Sequence, residues 1–306
     1  MEYLQVGADR AGQRIDNFLV SRLKGLPKSL VYRLLRTGQV RVNRGRIKPD
    51  YRLQEGDTLR IPPVKVREKS EPSGAKAQET GRRLIDSILF EDRDIVVLNK
   101  PAGLAVHAGS GLGYGLIELL RIQPGYENVE LAHRLDRETS GCLILARSRP
   151  ALRRLQQLLR QHAIEKTYLA LLRGRLPAKP LIVDSALSRN RLRGGERMVA
   201  LDEEGKDART ILRAEENYKG AALASVQIET GRTHQIRVHC ASIDHPLAGD
   251  DKYGDREFNR RMKETGLKRL FLHASELRFT LDTTHVVAAP LPPELKAVLE
   301  ALKKQQ

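Results

Sequence analysis

The chain contains few cysteine and aromatic residues, and this scarcity argues against several common classes of protein. Among 306 residues there are two cysteines and no tryptophan, and aromatic residues make up only 4%. Cys142 and Cys240 are isolated and lack C-x-x-C spacing, which argues against a disulfide framework and a cysteine-based zinc site, so both are expected to be reduced core residues. With so few aromatic side chains, a platform that stacks single-stranded bases is poorly supplied.

Long apolar segments are also absent. No run approaches the roughly 20 apolar residues that a membrane-spanning helix needs. The first residues, Met1 to Gln5, lack the basic start and apolar core of a signal peptide. The sequence therefore predicts a cytoplasmic protein without a membrane partner, and we expect a monomer.

Positive charge is abundant and unevenly distributed. Lys and Arg number 54 against 38 Asp and Glu, which gives a net charge of +16. Residues 10–67 contain 15 basic and 4 acidic residues and so carry +11 of that charge. Such a concentrated field indicates a polyanionic partner, and without a membrane segment the natural partner is a nucleic acid.

The basic region has the pattern of a small domain. Apolar spacing predicts a helix over 14–24 and a second helix after Pro27 that ends at Gly38, and strands are predicted at 40–43 and 58–61. The second helix and the following turn carry cations that would form a phosphate-binding face: Arg33, Arg36, Arg44, Arg46 and Lys48. A solvated charged surface is the alternative, and recognition of folded RNA by its shape and backbone fits better than base stacking.

The remainder divides into a linker and a larger domain. Residues 65–84 are polar, charged and without apolar period, which predicts a flexible linker after a domain at 1–64. Over 85–306 strands and helices alternate, and the predicted class is α+β, with a largely antiparallel mixed β-sheet flanked by helices and loops. The clearest elements are a buried strand at 95–98, a helix capped by Ser148, and strands at 166–172 and 233–239.

The segment His-Arg-Leu-Asp-Arg-Glu-Thr-Ser-Gly at 133–141 concentrates the chemistry of the chain. Asp136 stands between Arg134 and Arg137, and a nearby guanidinium favours the ionised carboxyl, which suits a nucleophile better than a proton donor. Apolar residues on both sides indicate that a rigid frame holds this charged loop.

Several chemistries remain open at this segment. A surface ion pair is the plainest interpretation, and a glycosidase would use Asp136 with Glu138. A serine hydrolase lacks its G-x-S-x-G elbow, and the glycine-rich segment 109–115 matches neither nucleotide-binding pattern, so a flexible loop is predicted there. Metal binding would draw on four histidines, for which structural roles are favoured: His133, His234, His239 and His273.

A family resemblance adds what spacing does not decide. Residues 13–63 resemble the S4 RNA-binding domain, on Arg14-Ile15-Asp16 and on Gly38-Gln39-Val40-Arg41-Val42-Asn43. Residues 86–290 resemble the RluA/RluC/RluD family of pseudouridine synthases, and the N-terminal region resembles the RluC branch more than the RluD branch. Four motifs agree in order and spacing: Leu98-Asn99-Lys100-Pro101-Ala102-Gly103, the segment 133–141, Glu165-Lys166-Thr167-Tyr168-Leu169-Ala170 and Gly231-Arg232-Thr233-His234-Gln235-Ile236-Arg237.

The resemblance implies an isomerase that converts specific uridines of large-subunit (23S) ribosomal RNA to pseudouridine, without a cofactor or a metal. It implies Asp136 as the catalytic aspartate, Tyr168 as the active-site tyrosine and Arg237 as the partner of Asp136. The implied substrate-binding residues are Arg134, which enters the RNA when the base leaves, Leu272, which packs on the base, and Lys166, His107, Arg33, Arg36 and Arg46.

Two other classes of function compete with this expectation. A non-catalytic RNA-binding or ribosome-assembly factor would keep the larger domain as a scaffold. A glycosidase acting on free nucleosides would release uracil and would leave the basic domain unexplained.

Overall fold

A computed structural model describes residues 1–23, 26, 28–64, 74–108, 114–193 and 196–305. The chain forms two compact units, residues 1–71 and 72–306. Each has its own buried apolar core. The predicted glycine-rich loop at 109–115 lies mostly outside the described residues.

The first unit is a small α+β domain. Its three strands form an antiparallel sheet in the order β1-β3-β2, and the apolar faces of both helices contribute to one core. Gly38 has a φ of +68° and follows the second helix, as predicted for its end. The elements are β1 (Glu2–Gln5), α1 (Ile15–Arg22), α2 (Lys28–Arg36), β2 (Arg41–Val42) and β3 (Thr58–Ile61), with a short 3₁₀ helix at Ala8–Arg10.

The second unit is built on a ten-stranded mixed sheet. Its main path runs β4-β5-β7-β14-β8-β13-β12-β9, with β15 paired to β14 and β6 paired to β7, while β10 and β11 form a separate hairpin. The strands are β4 (Ile88–Glu91), β5 (Ile95–Lys100), β6 (Glu130–Leu131), β7 (Ser140–Ala146), β8 (Ile164–Arg173), β9 (Leu181–Asp184), β10 (Leu187–Arg193), β11 (Glu196–Leu201), β12 (Arg209–Tyr218), β13 (Ala221–Ile228), β14 (Leu272–Thr280) and β15 (Thr284–Ala288). The helices are α3 (Ala75–Ile85), α4 (Leu116–Arg121), α5 (Arg149–Arg160), α6 (Gln235–Ser242), α7 (Arg256–Glu264) and α8 (Pro293–Lys303).

Sheet pairing confirms the predicted fold class. The strand pairs are antiparallel except β7 with β14, where His273 pairs with Ser140 and Ala274 with Gly141. Every residue of β7 is buried, and Cys142 is one of them, as expected for a reduced core cysteine. Ser148 caps α5 by accepting a hydrogen bond from the Ala151 amide at 3.3 Å, as the sequence predicts.

Gly141 explains why the reactive segment ends in Ser-Gly. A Cβ at this position would lie 2.1 Å from the carbonyl oxygen of Ala274, and the backbone φ is +108°. Both facts require glycine. The parallel pairing of β7 with β14 thus depends on a residue without a side chain, and that pairing fixes where the loop before β7 ends.

The prediction of a flexible linker over 65–84 is wrong for its second half. Residues Ala75–Ile85 form helix α3, with Ala77, Gly81 and Leu84 buried. A Cβ on Gly81 would lie 2.2 Å from the Gln123 side chain and 2.6 Å from the Leu119 carbonyl oxygen, so α3 packs closely on α4 within the second unit. The buried positions are helically spaced, but alanine and glycine give almost no hydropathy signal. Residues 65–73 lie outside the described part of the chain.

The predicted strand over 233–239 is also wrong. Residues Gln235–Ser242 form helix α6, which follows His234 in the left-handed conformation (φ 53°, ψ 19°). The alternation of Ile236 and Val238 with polar neighbours resembled a half-exposed strand. The polar side chains between them are themselves buried in hydrogen-bond networks, so polarity does not report exposure here.

Candidate active site

Asp136 lies in the loop that joins β6 to β7. The Thr139 amide donates to the Asp136 carbonyl at 3.2 Å and closes a turn. Arg137 is joined to Gly103 by two hydrogen bonds, from the Gly103 amide to the Arg137 carbonyl at 2.8 Å and from Arg137 Nε to the Gly103 carbonyl at 2.9 Å. The carboxylate therefore projects from a loop that is anchored directly after Asp136, and its side chain is 28% exposed.

Lys100 fastens this loop from inside the protein. The residue is fully buried, and its ammonium donates to the carbonyls of Pro101 and Leu104 at 2.8 Å each and of Arg137 at 3.1 Å. Burial lowers the pKa of Lys100 to about 7, while the carboxylates of Glu138 and Asp136 act in the opposite direction. Three carbonyls from two loops thus converge on one cation, which explains why a lysine occupies this end of a buried strand.

Arg237 approaches Asp136 from helix α6 and is held by a second carboxylate. Its Nε and Nη2 donate to Asp250 at 2.7 Å each, and its Nη1 lies 3.8 Å from Asp136 Oδ2. The Asp250 side chain is fully buried and also accepts the amides of Lys252 and Tyr253. Burial raises the pKa of Asp250, but the bonds from Arg237 outweigh it and the net shift is downward. Asp250 therefore fixes the guanidinium plane and leaves one edge facing Asp136.

His234 and Tyr253 complete the surroundings of the carboxylate. His234 Nε2 lies 3.8 Å from Asp136 Oδ2, and its Nδ1 is 2.8 Å from the Tyr253 hydroxyl. The guanidinium of Arg237 also stacks over the Tyr253 ring at 5.1 Å. Burial lowers the pKa of His234, partly countered by the Asp136 charge. The groups nearest Asp136 are thus one arginine and one histidine, both from the Arg232-to-Arg237 segment.

The source of the positive charge differs from the local prediction. The sequence places Asp136 between Arg134 and Arg137, but within the described residues neither forms an ion pair with it. Arg137 faces Glu138 and Gly103, whereas Arg134 is exposed at the cavity wall. The structure brings Arg237 to the position expected from the resemblance, from about one hundred residues along the chain.

Tyr168 and Leu272 form the apolar side of a small pocket at Asp136. Tyr168 lies on β8 and Leu272 on the neighbouring strand β14, and the two residues are 6% and 3% exposed. The pocket of about 60 Å³ is lined by both, and by Arg134, Asp136 and Arg237 among others. Burial, together with the Asp136 charge, raises the pKa of Tyr168, so its phenol stays protonated at neutral pH. No hydrogen bond to its hydroxyl occurs among the described residues.

A larger cavity opens on the other side of the carboxylate. Its volume is about 840 Å³, and its lining includes Arg134, Asp136, Tyr168, Lys166 and His107. Burial lowers the pKa of Lys166 to about 8. All seven predicted site residues of the second unit therefore line one of two adjoining pockets, which meet at Arg134, Asp136 and Tyr168.

The remaining histidines have structural partners. His133 Nε2 accepts the Ile144 amide at 3.1 Å, and burial lowers its pKa to about 4. His239 contacts Thr210 and the Ser185 carbonyl, each at 2.9 Å, and His273 contacts Ser140 at 2.9 Å. In the part of the chain that the structure describes, no group of three or more histidine, cysteine, aspartate or glutamate side chains is placed to hold a metal ion.

The three predicted RNA-binding arginines of the first unit are exposed. Arg36 on α2 and Arg46 in the turn after β2 line a common cavity of about 460 Å³, whereas Arg33 lies outside its lining. None of the helices over the described ranges is long and apolar enough to cross a bilayer.

Comparison with known proteins identifies both units. The profile of the RNA pseudouridylate synthase family matches residues 94–242, and that of the S4 domain matches residues 13–59. Ribosomal large subunit pseudouridine synthase C of Escherichia coli K12 is 50% identical over 309 residues, covering 99% of this chain and 97% of that protein. The enzyme of the same name from Pasteurella multocida is 50% identical and covers 100% and 95%.

The chain belongs to the RNA pseudouridylate synthase family. It is a pseudouridine synthase, an isomerase, as the resemblance implied. Among solved structures, human RNA pseudouridylate synthase domain containing 4 has a TM-score of 0.63 and 26% identity over 74% of this chain and 97% of that one. Human RNA pseudouridylate synthase domain containing 1 has a TM-score of 0.59 and 29% identity over 69% and 86%.

Sequence reasoning missed three residues of this pseudouridine synthase site. Asp250 and Tyr253 come from the Gly249-to-Tyr253 turn, and Lys100 stands in the Leu98-to-Gly103 motif without a predicted role. Gly249 is the residue of this turn that the sequence could have pointed to. In the structure its φ is +73° and a Cβ there would lie 2.2 Å from the Arg269 carbonyl oxygen, so the position requires glycine. A glycine before an aspartate can mark a tight turn, but only the fold shows that Arg237 lies opposite.

Proposed function

We propose that this enzyme converts specific uridines of large-subunit ribosomal RNA to pseudouridine, with Asp136 as the residue that attacks the sugar or removes a proton from it. The observation that carries the assignment is the position of the Asp136 carboxylate, where the two pockets meet and Arg237 faces it. The names of the relatives at 50% identity support the choice of RNA.

The chemistry is a rearrangement within one nucleotide. The bond from uracil N1 to ribose C1′ breaks, the uracil turns, and a bond from C5 to C1′ forms. C5 loses its proton and N1 gains one, so atoms and electrons balance without an added redox agent or group donor.

Asp136 is equipped for either role at the sugar. Its carboxylate is partly exposed to the cavities, and Arg237 Nη1 lies 3.8 Å from its Oδ2. The Arg237 guanidinium is already neutralised by Asp250, which limits how strongly it binds Asp136 and leaves a lone pair available for the substrate.

Tyr168 is suited to contact with the uracil ring. Two roles follow from the family resemblance: packing on the base and help with loss of the C5 proton. Because its phenol is held protonated, the ring and hydroxyl would serve as a surface and a hydrogen-bond donor rather than as a phenolate base. Leu272 would close the same small pocket from β14.

Access requires that the uridine leave its stack. Unstacking and unpairing cost a few kcal/mol, and cationic contacts to the RNA can offset that cost. Arg134 is exposed at the junction of both pockets and is placed to enter the space that the base leaves. Lys166 and His107 would line the path of the extruded nucleotide.

Replacement of the carboxylate tests the assignment directly. Asp136→Asn should abolish pseudouridine formation in ribosomal RNA while leaving folding and RNA affinity near the wild-type values. Glu138→Gln is the matched control, because it neutralises an exposed acid two residues away. Substantial isomerisation by Asp136→Asn would remove Asp136 from this role.

The first unit should supply the electrostatic part of RNA binding. Changing Arg33, Arg36 and Arg46 to Gln should weaken binding and reduce the slope of log affinity against log salt by up to about 1 per phosphate contact. Arg93→Gln, at a 92% exposed side chain of the second unit, is the control. A slope equal to that of the wild type would assign RNA binding to the catalytic unit alone.

Two measurements separate this proposal from its rivals. A nucleoside glycosidase would release free uracil, whereas the isomerase keeps the base attached to the RNA. A non-catalytic assembly factor would bind ribosomal RNA without changing its pseudouridine content. The proposal includes a cytoplasmic location and a monomer, which fractionation and size-exclusion chromatography would check.

A further inference from the structure

Tyr32 is an exposed aromatic side chain on the second helix of the first unit. It lies on α2, is 43% exposed, and belongs to a chain in which only 4% of residues are aromatic. Arg36 follows one helical turn later on the same helix, so the ring and a guanidinium share one face.

The ring is held in a fixed orientation by a buried carboxylate. The Tyr32 hydroxyl donates to Asp16 Oδ2 at 2.9 Å, and Asp16 is only 4% exposed. Asp16 is itself held by Arg14, whose Nη2 and Nε donate at 2.7 and 3.2 Å, and by the Asn17 amide at 2.8 Å. The hydrogen bond to Asp16 therefore fixes the orientation of the Tyr32 ring, which does not rotate freely.

A cavity of about 460 Å³ lies beside this ring. Its lining combines an apolar part with three cations: Tyr32, Leu35, Ile47, Pro49, Arg36, Arg46 and Lys48. Small-ligand sites typically enclose about 300–1,000 Å³ and combine an apolar surface with a few polar groups. The size and the lining fit one nucleotide.

Gly38 gives the Arg46 side chain its course along this cavity. A Cβ at Gly38 would lie 2.7 Å from Arg46 Nε and 3.0 Å from its Cγ. The Arg46 side chain thus passes directly over the backbone of Gly38, which leaves room for it because glycine has no side chain. Arg46 is therefore positioned by packing on the backbone, which distinguishes it from a fully solvated surface cation.

We propose that this cavity binds a single unpaired nucleotide of the RNA, with its base stacked on Tyr32 and its phosphates bound by Arg36, Arg46 and Lys48. The proposal rests on the RNA substrate named above and goes beyond it. The first unit would recognise an unpaired position next to a helix as well as RNA backbone and shape. Stacking on one aromatic ring tolerates any base, so the site would select structure and not sequence.

The test uses the full-length protein and two short RNA hairpins that differ by one bulged nucleotide in the stem. Wild-type protein should bind the bulged hairpin more tightly, and a 2-aminopurine at the bulge should lose fluorescence on stacking. Tyr32→Ala should weaken binding of the bulged hairpin by roughly tenfold or more and should abolish the quenching. Its affinity for the fully paired hairpin should stay near that of the wild type.

Two further variants protect the test against a folding artefact. Tyr3→Ala removes an even more exposed tyrosine, 67%, from β1 of the same unit and should change neither affinity. Tyr32→Phe keeps the ring but loses the bond to Asp16, so it should retain most of the preference for the bulge. Equal affinity of Tyr32→Ala and wild type for the bulged hairpin would overturn the proposal, and so would equal weakening on both hairpins.

The nucleotide site and the proposed function fail in distinguishable ways. If wild-type protein forms no pseudouridine in ribosomal RNA, the assigned reaction is wrong, whatever the hairpins show. If it forms pseudouridine but Tyr32→Ala leaves the KM for RNA and the bulge preference unchanged, only the nucleotide site is wrong. A raised KM together with a lost bulge preference supports both.

Discussion

Neutralising Asp250 should disable the enzyme without touching a group that reaches the substrate. Asp250 is fully buried and makes two bonds of 2.7 Å to Arg237, whose Nη1 lies 3.8 Å from Asp136. In Asp250→Asn the side chain keeps its shape but loses its charge. Arg237 would then have Asp136 as its nearest carboxylate and would turn toward it.

The magnitude follows from the contacts that are lost. A charge-assisted hydrogen bond contributes about 1.5–3 kcal/mol, and breaking a buried ion pair costs about 3–5 kcal/mol. Asn can still accept one bond and Asp136 remains close, so a loss of about 3 kcal/mol in the free energy of unfolding is expected. A shift of the guanidinium by about 1 Å should lower kcat on the order of a hundredfold and leave the KM for RNA near its wild-type value.

The assay combines denaturant unfolding with pseudouridine formation under saturating RNA. Asp251→Asn is the matched control, because it removes the adjacent, exposed carboxylate and should leave both quantities unchanged. A double-mutant cycle with Arg237→Gln should be strongly non-additive, since both changes break one pair. A folded Asp250→Asn enzyme with a kcat within twofold of wild type would refute the positioning role.

Three further outcomes are expected. Lys100→Met removes the shared donor of three carbonyls and should lower both the melting temperature and kcat, as thermal melts and rate measurements will show; unchanged values would contradict its anchoring role. Gly141→Ala should prevent stable folding, because its Cβ would lie 2.1 Å from the Ala274 carbonyl, whereas Gly231→Ala, with nothing within 4 Å, should melt near the wild-type temperature. Because the pKa of His133 is lowered to about 4 in the fold, the unfolded chain takes up a proton at higher pH than the folded protein does, and the free energy of unfolding should fall as pH drops from about 6.5 to 4. His133→Gln should reduce this pH dependence in urea titrations at several pH values. An unchanged pH dependence in the variant would contradict the role of His133.

Regular elements with strong apolar patterns were predictable because their hydropathy reports burial. The strand that includes Ile95 to Leu98, the helix capped by Ser148 and the two-unit division all follow from local signals. The predictions were wrong where the buried side chains are small or polar, because such residues do not report burial by their hydropathy. Helix α3 is packed largely through alanine and glycine, which give a weak apolar signal, and helix α6 buries Gln235, Arg237 and His239, so it displays no amphipathic pattern.

The residues of the candidate site were also predictable only in part. Motif resemblance located Asp136, Tyr168, Arg237 and Leu272, and the fold brings them to adjoining pockets. Asp250 could not be found in this way, because its importance lies in a contact across 13 residues and a turn. The pKa shifts of buried groups likewise depend on desolvation, which only packing defines.

By itself, the sequence determined the basic first unit, the α+β class, the reactive segment and the protein family. Charge, periodicity and motif order are properties of the sequence and do not depend on tertiary contacts. Only the tertiary structure decided which arginine faces Asp136, what holds that arginine, and that Tyr32 stands fixed beside three cations. Hydrogen bonds and ion pairs act over about 3 to 4 Å. Residues far apart in sequence enter that range only when the fold brings them together.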